Sequence, residues 1–113
     1  MSRYCLALDL VDDATLIAEY EACHRVVWPE ILASIRDAGI THMEIYRVAN
    51  RLFMIMETGP GFSFAAKATA DAANPKVQEW EHLMWQYQQA LPTAAPGEKW
   101  MMMDKIFDLA EQL

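Results

Sequence analysis

The hydrophobic pattern of the chain begins with strict alternation over residues 3–10, which predicts a β-strand. Asp12 or Asp13 can then cap a helix, and the following apolar residues recur at the three- and four-residue spacing of a core-facing helix surface. That surface comprises Leu16, Tyr20, His24, Val27 and Ile31. Pro29 interrupts it, so the helix is expected to kink or restart there, before a second helical segment over residues 30–38.

The rest of the pattern predicts a hairpin, two helices and a final strand. The predicted elements are strands over 41–48 and 51–58, a short helix over 62–71, a longer helix over 75–91 and a strand over 100–109. Ala49-Asn50 forms the hairpin turn, and Asn74-Pro75 opens the longer helix. The order β-α-β-β-α-β predicts a ferredoxin-like α+β fold, in which helices cover one face of a four-stranded antiparallel sheet.

The length and composition of the chain indicate one domain that associates with a second copy. A chain of 113 residues, 54% of them hydrophobic, is long enough for a single core and carries more apolar surface than a small monomer can bury. The strand over 51–58 is apolar on both sides, so the second sheet face also needs a cover. Residues 1–113 are therefore expected to form a homodimer through the sheet face, as in dimeric α+β barrels.

Charge and cysteine content narrow the partners and the compartment. The net charge of −7 disfavours nucleic acid, which needs a basic surface. No segment approaches membrane-spanning length, the N-terminus lacks the apolar run of a signal peptide, and Cys5 and Cys23 match no metal or redox spacing. A cytoplasmic protein with reduced thiols is expected. Met101, Met102 and Met103 cannot converge on one metal ion, because adjacent strand residues face opposite ways, so no metal site is predicted.

The main candidate for chemistry is the stretch that contains Tyr20, His24 and Trp28. Side chains four residues apart lie on the same side of a helix, so the three would form one line. Histidine and tyrosine can exchange protons, and tryptophan offers a flat apolar surface. This combination suits proton transfer on a polyhydroxylated ligand such as a sugar. The alternative is that Tyr20 and His24 are core residues whose polar ends bond to the backbone.

Two further groups of residues are candidates for binding a ligand, and each also has an ordinary structural explanation. His42, Glu44 and Tyr46 share one strand face, where they would line a pocket or face solvent. Of these, Tyr46 lies mid-strand and is the candidate for binding a ligand. On the helix over 75–91, Trp80 belongs to the inner apolar stripe and Trp85 does not. An aromatic stripe at helical spacing usually forms core, and Trp85 suits an interface or a pocket rim.

The motif Tyr-x3-His-x3-Trp-Pro-Glu at residues 20–30 resembles the L-rhamnose mutarotase family. Ile-Tyr at residues 45–46, Gln-x-Trp at 78–80 and Phe-x-Leu at 107–109 add to the resemblance, which covers about residues 3–109. The family comprises small cytoplasmic homodimers of the dimeric α+β barrel type that interconvert the anomers of 6-deoxy-L-sugars. The resemblance therefore implies an isomerase that needs no cofactor and acts on a monosaccharide.

The resemblance also assigns roles to individual residues. His24 falls on the family's proton donor, Tyr20 on a substrate-binding tyrosine, and Trp80 on the first residue of a Trp-Trp pair that holds the sugar. The catalytic residues are expected to be His24, which would donate to the ring oxygen, and Tyr20, since either Tyr20 or a water would complete the proton relay. Two positions depart from the family pattern: Glu81 replaces the second tryptophan, and Met43 stands where a tyrosine is expected. These departures make L-fucose as plausible a substrate as L-rhamnose. Trp28 is expected to pack on the apolar side of the sugar, or to anchor the kink at the proline.

Two other functions fit the same features. A cofactor-independent monooxygenase of the same barrel type, acting on aromatic polyketides, would also use histidine and tryptophan on a helix. A non-catalytic sugar-binding module would need the pocket but no proton transfer. Faster anomer exchange would indicate a mutarotase, oxygen consumption would indicate a monooxygenase, and sugar binding without faster exchange would indicate a binding module.

Overall fold

The computed structural model describes residues 2–112, which form an antiparallel sheet with helices packed on one face. Its strands are β1 (Ser2–Leu10), β2 (Ile40–Val48), β3 (Arg51–Thr58), β4 (Gln88–Gln89) and β5 (Met101–Met102). Its helices are α1 (Ala14–Cys23), α2 (Pro29–Asp37), α3 (Phe64–Ala72) and α4 (Pro75–Trp85), followed near the end by a 3₁₀ turn, Leu109–Glu111. The strand order is β2-β3-β1-β4, with β5 also paired to β1. The predicted ferredoxin-like α+β class is confirmed.

Local capping and turn signals place several elements where the sequence predicts them. The β2–β3 turn occurs at Ala49-Asn50, with Ala49 in the left-handed region at φ +50°. Asn50 also ties this turn to the end of β1, because its side-chain Nδ2 donates to the carbonyl of Leu10 at 3.1 Å. At the start of α4, the side chain of Asn74 accepts two backbone N–H groups of the first turn.

The fourth strand differs from its prediction, because it is split into two short pieces on the same edge of β1. Gln88 lies opposite Leu10 in β4, and Met102 lies opposite Leu6 in β5. Residues 90–100 leave the sheet between these two pieces, and we call them the excursion loop. The predicted strand over 100–109 is thus wrong after Met102, since residues 103–108 have no regular structure.

The predicted helix over 75–91 is wrong at its end for a related reason. Tyr87 and Leu91 continue the helical spacing, but α4 stops at Trp85. The edge of β1 carries backbone groups that need partners, and the N–H of Val11 donates to the carbonyl of Tyr87 at 2.8 Å. Pairing with β1 satisfies these groups, whereas a longer helix would leave them without protein partners.

The sheet has two faces with different surroundings. The covered face lies against the helices and includes the buried residues Leu6, Leu8, Leu52, Met54 and Met56. The open face carries the alternate positions of the same strands, including Cys5, Ala7, Tyr46, Phe53 and Ile55. Both are apolar at their centre, as the sequence predicts for β3. Within residues 2–112, no helix has the length and hydrophobicity needed to cross a membrane.

Candidate active site

The break between α1 and α2 determines where the predicted histidine lies. The sequence predicts that the helix kinks or restarts at Pro29, and the structure shows a restart: α1 ends at Cys23 and α2 begins at Pro29. Proline disfavours helical backbone at the preceding residue and clashes one turn back, and Trp28 accordingly has an extended conformation (φ −55°, ψ 137°). His24 therefore caps the C-terminal end of α1, and its side chain remains above the last turn of that helix.

A hydrogen bond to the backbone fixes the protonated nitrogen of His24. Its Nδ1 lies 2.9 Å from the backbone carbonyl oxygen of Tyr20. A carbonyl oxygen only accepts, so Nδ1 must be the donor in this contact. In the neutral ring the lone pair is then on Nε2. Nε2 is therefore the atom through which His24 can exchange a proton with a ligand.

Aromatic rings surround His24 in a continuous row. The Tyr20 and His24 ring centroids are 4.4 Å apart, and His24 lies edge-on to Trp80 at 5.5 Å. Trp28 packs edge-on to Trp80 from the other side at 5.1 Å. The expected line of Tyr20, His24 and Trp28 is thus completed by Trp80 of α4, so it depends on tertiary packing and not on one helix. These contacts restrict the imidazole to one orientation.

Tyr20 contributes a neutral hydroxyl to the site. Its side chain is buried, and burial raises the pKa of the Tyr20 phenol above its ordinary value, so the hydroxyl stays protonated at neutral pH. Gln88 of β4 donates from Nε2 to the Tyr20 hydroxyl at 3.4 Å. Gln88 is itself only 8% exposed, and within residues 2–112 its Oε1 has no hydrogen-bond partner. Tyr20 and Gln88 are therefore hydrogen-bonding groups, and neither is a base.

These residues line a cavity of about 750 Å³ between the covered face and the helices. That volume lies within the range of about 300–1,000 Å³ found for small-molecule sites. Most of the wall is apolar and comes from residues such as Leu6, Ile31, Ile45, Met54, Met56 and Trp100. A few polar groups interrupt it, among them His24, Tyr20 and Gln88. An apolar wall with a few fixed polar groups is typical of a ligand site.

The structure brings most of the predicted site residues to this cavity. His24, Tyr20, Met43, Trp80 and Glu81 all line it. Trp28 is not among the residues that line the cavity and packs edge-on against Trp80, so its predicted contact with the sugar stays a prediction.

Tyr46 does not join them within one subunit. It lies on the open face, 54% exposed, and its hydroxyl donates to Glu44 Oε1 at 3.1 Å. Met43 and Tyr46 are three residues apart on the same strand, so they face opposite sides of the sheet. Only Met43 can line the cavity, and the predicted placement of Tyr46 in the same pocket is corrected accordingly.

Gln88, Lys99 and Trp100 also line the cavity, although the sequence does not predict them as site residues. The sequence predicts that Gln88 lies in a helix, whereas it lies in β4. Lys99 and Trp100 reach the cavity because the excursion loop returns to the edge of β1. No local sequence signal marks Gln88, since its neighbours along the chain are Tyr87 and Gln89. Within residues 2–112, no three histidine, cysteine or acidic side chains converge as metal ligands.

The fold and the cavity together define an α+β domain in which a histidine lies among aromatic residues on the cavity wall. The profile of the L-rhamnose mutarotase family matches residues 3–109. An L-fucose mutarotase from Xanthomonas campestris is 53% identical over 113 residues, covering 98% of this chain and 90% of that protein. The chain therefore belongs to the L-rhamnose mutarotase family, as its helix motif predicts.

Two solved structures have the same fold. L-rhamnose mutarotase from Formosa agariphila aligns with a TM-score of 0.71 at 19% identity, covering 96% of this chain and 99% of that chain. Tetracenomycin F2 cyclase from Streptomyces glaucescens, a type-II polyketide cyclase, aligns with a TM-score of 0.59 at 15% identity and 96% coverage of both chains. At these identities the similarity concerns the fold alone. The two names differ in chemistry, so function must be argued from the site.

Proposed function

We propose that this protein is an aldose mutarotase that interconverts the α and β anomers of a 6-deoxy-L-hexose. The family profile and the 53% identity to an L-fucose mutarotase support this activity. The observation that carries it is His24, whose Nδ1 is held by the backbone while its ring lines an aromatic cavity. Such a histidine can give a proton to a ligand and take it back without changing orientation.

The reaction needs one acid and one base near the sugar's anomeric carbon. Ring opening breaks the bond between C1 and the ring oxygen, adds a proton to that oxygen and removes the proton of the anomeric hydroxyl. Rotation about C1–C2 and closure on the other carbonyl face reverse these transfers. His24 in its protonated form donates from Nε2 to the ring oxygen and recovers the proton on closure. The reaction changes no oxidation state, so acid–base catalysis alone accounts for it.

Tyr20 has a positioning role in this proposal. Because burial raises the pKa of the Tyr20 phenol, its hydroxyl is a poor base at neutral pH. Water is therefore the better acceptor for the anomeric proton, and the Tyr20 hydroxyl, held by Gln88, binds a sugar oxygen. Trp80 offers a flat surface to the apolar side of the pyranose, and the cavity methionines accommodate its methyl group.

We expect the protein to form a homodimer through the open face of the sheet. Two copies that pair through this face would cover its apolar centre of Ala7, Phe53 and Ile55. Cys5 and Cys23 are unpaired thiols in the structure, which suits a reducing compartment such as the cytoplasm.

Exchange NMR between the anomer signals of each sugar tests the activity directly. We expect faster exchange of L-fucose or L-rhamnose with the protein than without it, and no acceleration by heat-denatured protein. Equal exchange rates for all 6-deoxyhexoses with and without protein would refute the proposal. Sugar binding without acceleration would indicate a binding module instead, and oxygen consumption with a phenolic substrate would indicate an oxygenase.

A further inference from the structure

We propose that Glu81 and Lys99 form a hydroxyl-binding pair that selects the sugar by the configuration of one ring hydroxyl. The inference rests on the proposed mutarotase function and adds the determinant of substrate preference. Glu81 lies on α4 directly after Trp80, and Lys99 lies at the end of the excursion loop directly before Trp100. Both side chains line the same cavity as His24.

Lys99 differs from the other lysines of the chain in having no carboxylate partner. The chain has four lysines, and Lys67, Lys76 and Lys105 each form a salt bridge of 2.6–3.1 Å. Within residues 2–112, Lys99 forms neither a salt bridge nor a hydrogen bond, although it is half-buried. An ammonium group without a carboxylate or hydrogen-bond partner has N–H donors available for a ligand.

The position of Lys99 is nevertheless fixed. Its Nζ lies over the Trp85 ring, 4.6 Å from the ring centroid, which holds the ammonium without using its N–H donors as a carboxylate would. Burial lowers the pKa of the Lys99 ammonium, and the negative charge of Glu81 opposes that shift. The charge of Glu81 thus acts on Lys99, although within residues 2–112 the two groups form no salt bridge.

The hydrogen-bonding properties of the two charged groups suit a hydroxyl group. An ammonium only donates hydrogen bonds and a carboxylate only accepts them, whereas a hydroxyl does both. A hydroxyl placed between Lys99 and Glu81, or two neighbouring hydroxyls, would satisfy both charges at once. An ether oxygen or a methyl group could not, and a charged ligand would be repelled by one of the two groups.

Such a pair discriminates strongly between epimers. A sugar whose hydroxyl points elsewhere leaves both partly buried charges without a partner, and unpaired polar groups account for most of the discrimination in sites of this kind. L-fucose and L-rhamnose differ in configuration at C2 and C4. The pair would therefore contact the hydroxyl at one of these two carbons.

The test compares two variants with matched controls. Lys99→Met and Glu81→Gln remove one charge each from the pair. Lys105→Met and Glu79→Gln remove the same charges outside the cavity, where Lys105 and Glu79 pair with Asp108 and Lys76. Thermal unfolding of each variant checks the fold, and Lys99→Arg keeps the positive charge.

Anomer-exchange rates and binding are measured for L-fucose, L-rhamnose and their 2-deoxy and 4-deoxy analogues. We expect Lys99→Met and Glu81→Gln to lower kcat/KM for the preferred sugar by about 10- to 100-fold, the range for a lost hydrogen bond to a charged group. The analogue that lacks the contacted hydroxyl should be unaffected by either variant. Both control variants should keep the wild-type preference between L-fucose and L-rhamnose.

The outcomes separate this inference from the proposed function. If the wild type is active and the variants lose the same factor in kcat/KM for every sugar, or lose no activity, the proposed selection by Glu81 and Lys99 is overturned. A wild-type protein could instead bind one epimer without accelerating the exchange of any sugar, and Lys99→Met could abolish that binding preference. This outcome would overturn the proposed mutarotase activity and support the proposed role of Glu81 and Lys99. Absence of both exchange and binding would overturn both.

Discussion

The two faces of the sheet are both apolar, but they distribute their polar groups in opposite ways. On the covered face the apolar residues form the wall of a cavity, and polar side chains such as His24 and Gln88 project from it. On the open face the centre is apolar and the polar groups lie around it. At the strand ends Arg3 pairs with Glu57 at 3.2 Å and Arg51 with Asp9 at 2.7 Å, and on the edge strand β2 Tyr46 bonds to Glu44.

This difference shows what each face can do. An apolar centre with a polar rim is the usual anatomy of an interface between protein chains. An apolar wall with polar groups inside is the usual anatomy of a small-molecule site. β3 supplies both, because Phe53 and Ile55 face one side and Met54 and Met56 the other. One strand thus serves the proposed chemistry and the proposed assembly, and variants on its two sides should have separable effects.

The largest effect should come from His24→Ala. Within residues 2–112, His24 is the only histidine that contacts the aromatic row around the cavity. Its removal should lower the exchange rate by about 10²–10⁴-fold, the usual contribution of general acid–base catalysis. Exchange NMR measures the loss, and circular dichroism should show an unchanged fold. An alanine variant as active as wild type would remove His24 from the mechanism.

On the covered face, Leu8→Ala should cost about 2–5 kcal/mol of unfolding free energy, since it leaves a hole in a fully buried site. Urea unfolding measures the change. Val26→Ala serves as control, because Val26 is 85% exposed and its truncation should change stability by less than about 0.5 kcal/mol. Equal costs for the two would contradict the packing described for this face.

On the open face, Phe53→Asp should weaken the dimer without abolishing the fold. An aromatic residue at the centre of an interface contributes about 2 kcal/mol or more, which corresponds to at least about a 30-fold rise in the dimer dissociation constant. Sedimentation measures the association, with Val26→Asp as a control on the helix side of the molecule. A wild-type protein that sediments as a monomer at all concentrations would refute assembly through this face.

Tyr20→Phe should have a smaller effect on stability than Leu8→Ala. The change removes the hydroxyl that accepts from Gln88, so the buried amide loses its partner at a cost of about 1–3 kcal/mol. Urea unfolding again provides the measurement. Substrate KM should rise more than kcat falls, because Tyr20 binds the sugar and does not transfer its proton. A loss of kcat as large as that of His24→Ala would assign Tyr20 to the chemistry itself.

The smallest expected effect is a change in stability at alkaline pH. Burial raises the pKa of Tyr20 above its ordinary value of 10.0. The folded protein binds the phenol proton more tightly than the unfolded chain does. The resulting contribution to the free energy of unfolding is complete below about pH 10 and is lost as the pH rises through the pKa of the folded state. The stability difference between wild type and Tyr20→Phe should therefore shrink above pH 10. A constant difference across that range would contradict the burial of the phenol.

Short-range signals in the chain predicted most of the fold. The alternation over residues 3–10, the Ala49-Asn50 turn and the Asn74-Pro75 cap each act within a few residues. The structure places the strands joined by these signals within about two residues of their predicted bounds, and it places the start of α4 at Pro75 as predicted. Pro29 correctly marked the start of a helix, but the end of the preceding helix at Cys23 was missed. A proline disfavours helix at the residue before it and clashes one turn further back, and the alternative to a kink is a complete break.

What the sequence alone determined was the class of fold, the family motif and the alternation that gives each strand two faces. Tertiary structure decided the site, because Trp80 reaches His24 from another helix and Gln88 and Lys99 reach the cavity only through the interrupted fourth strand. That interruption follows from the need of the β1 edge for hydrogen-bond partners, which is a long-range requirement. Periodicity reports the neighbours of a residue along the chain, whereas a binding site depends on residues that chain folding brings together.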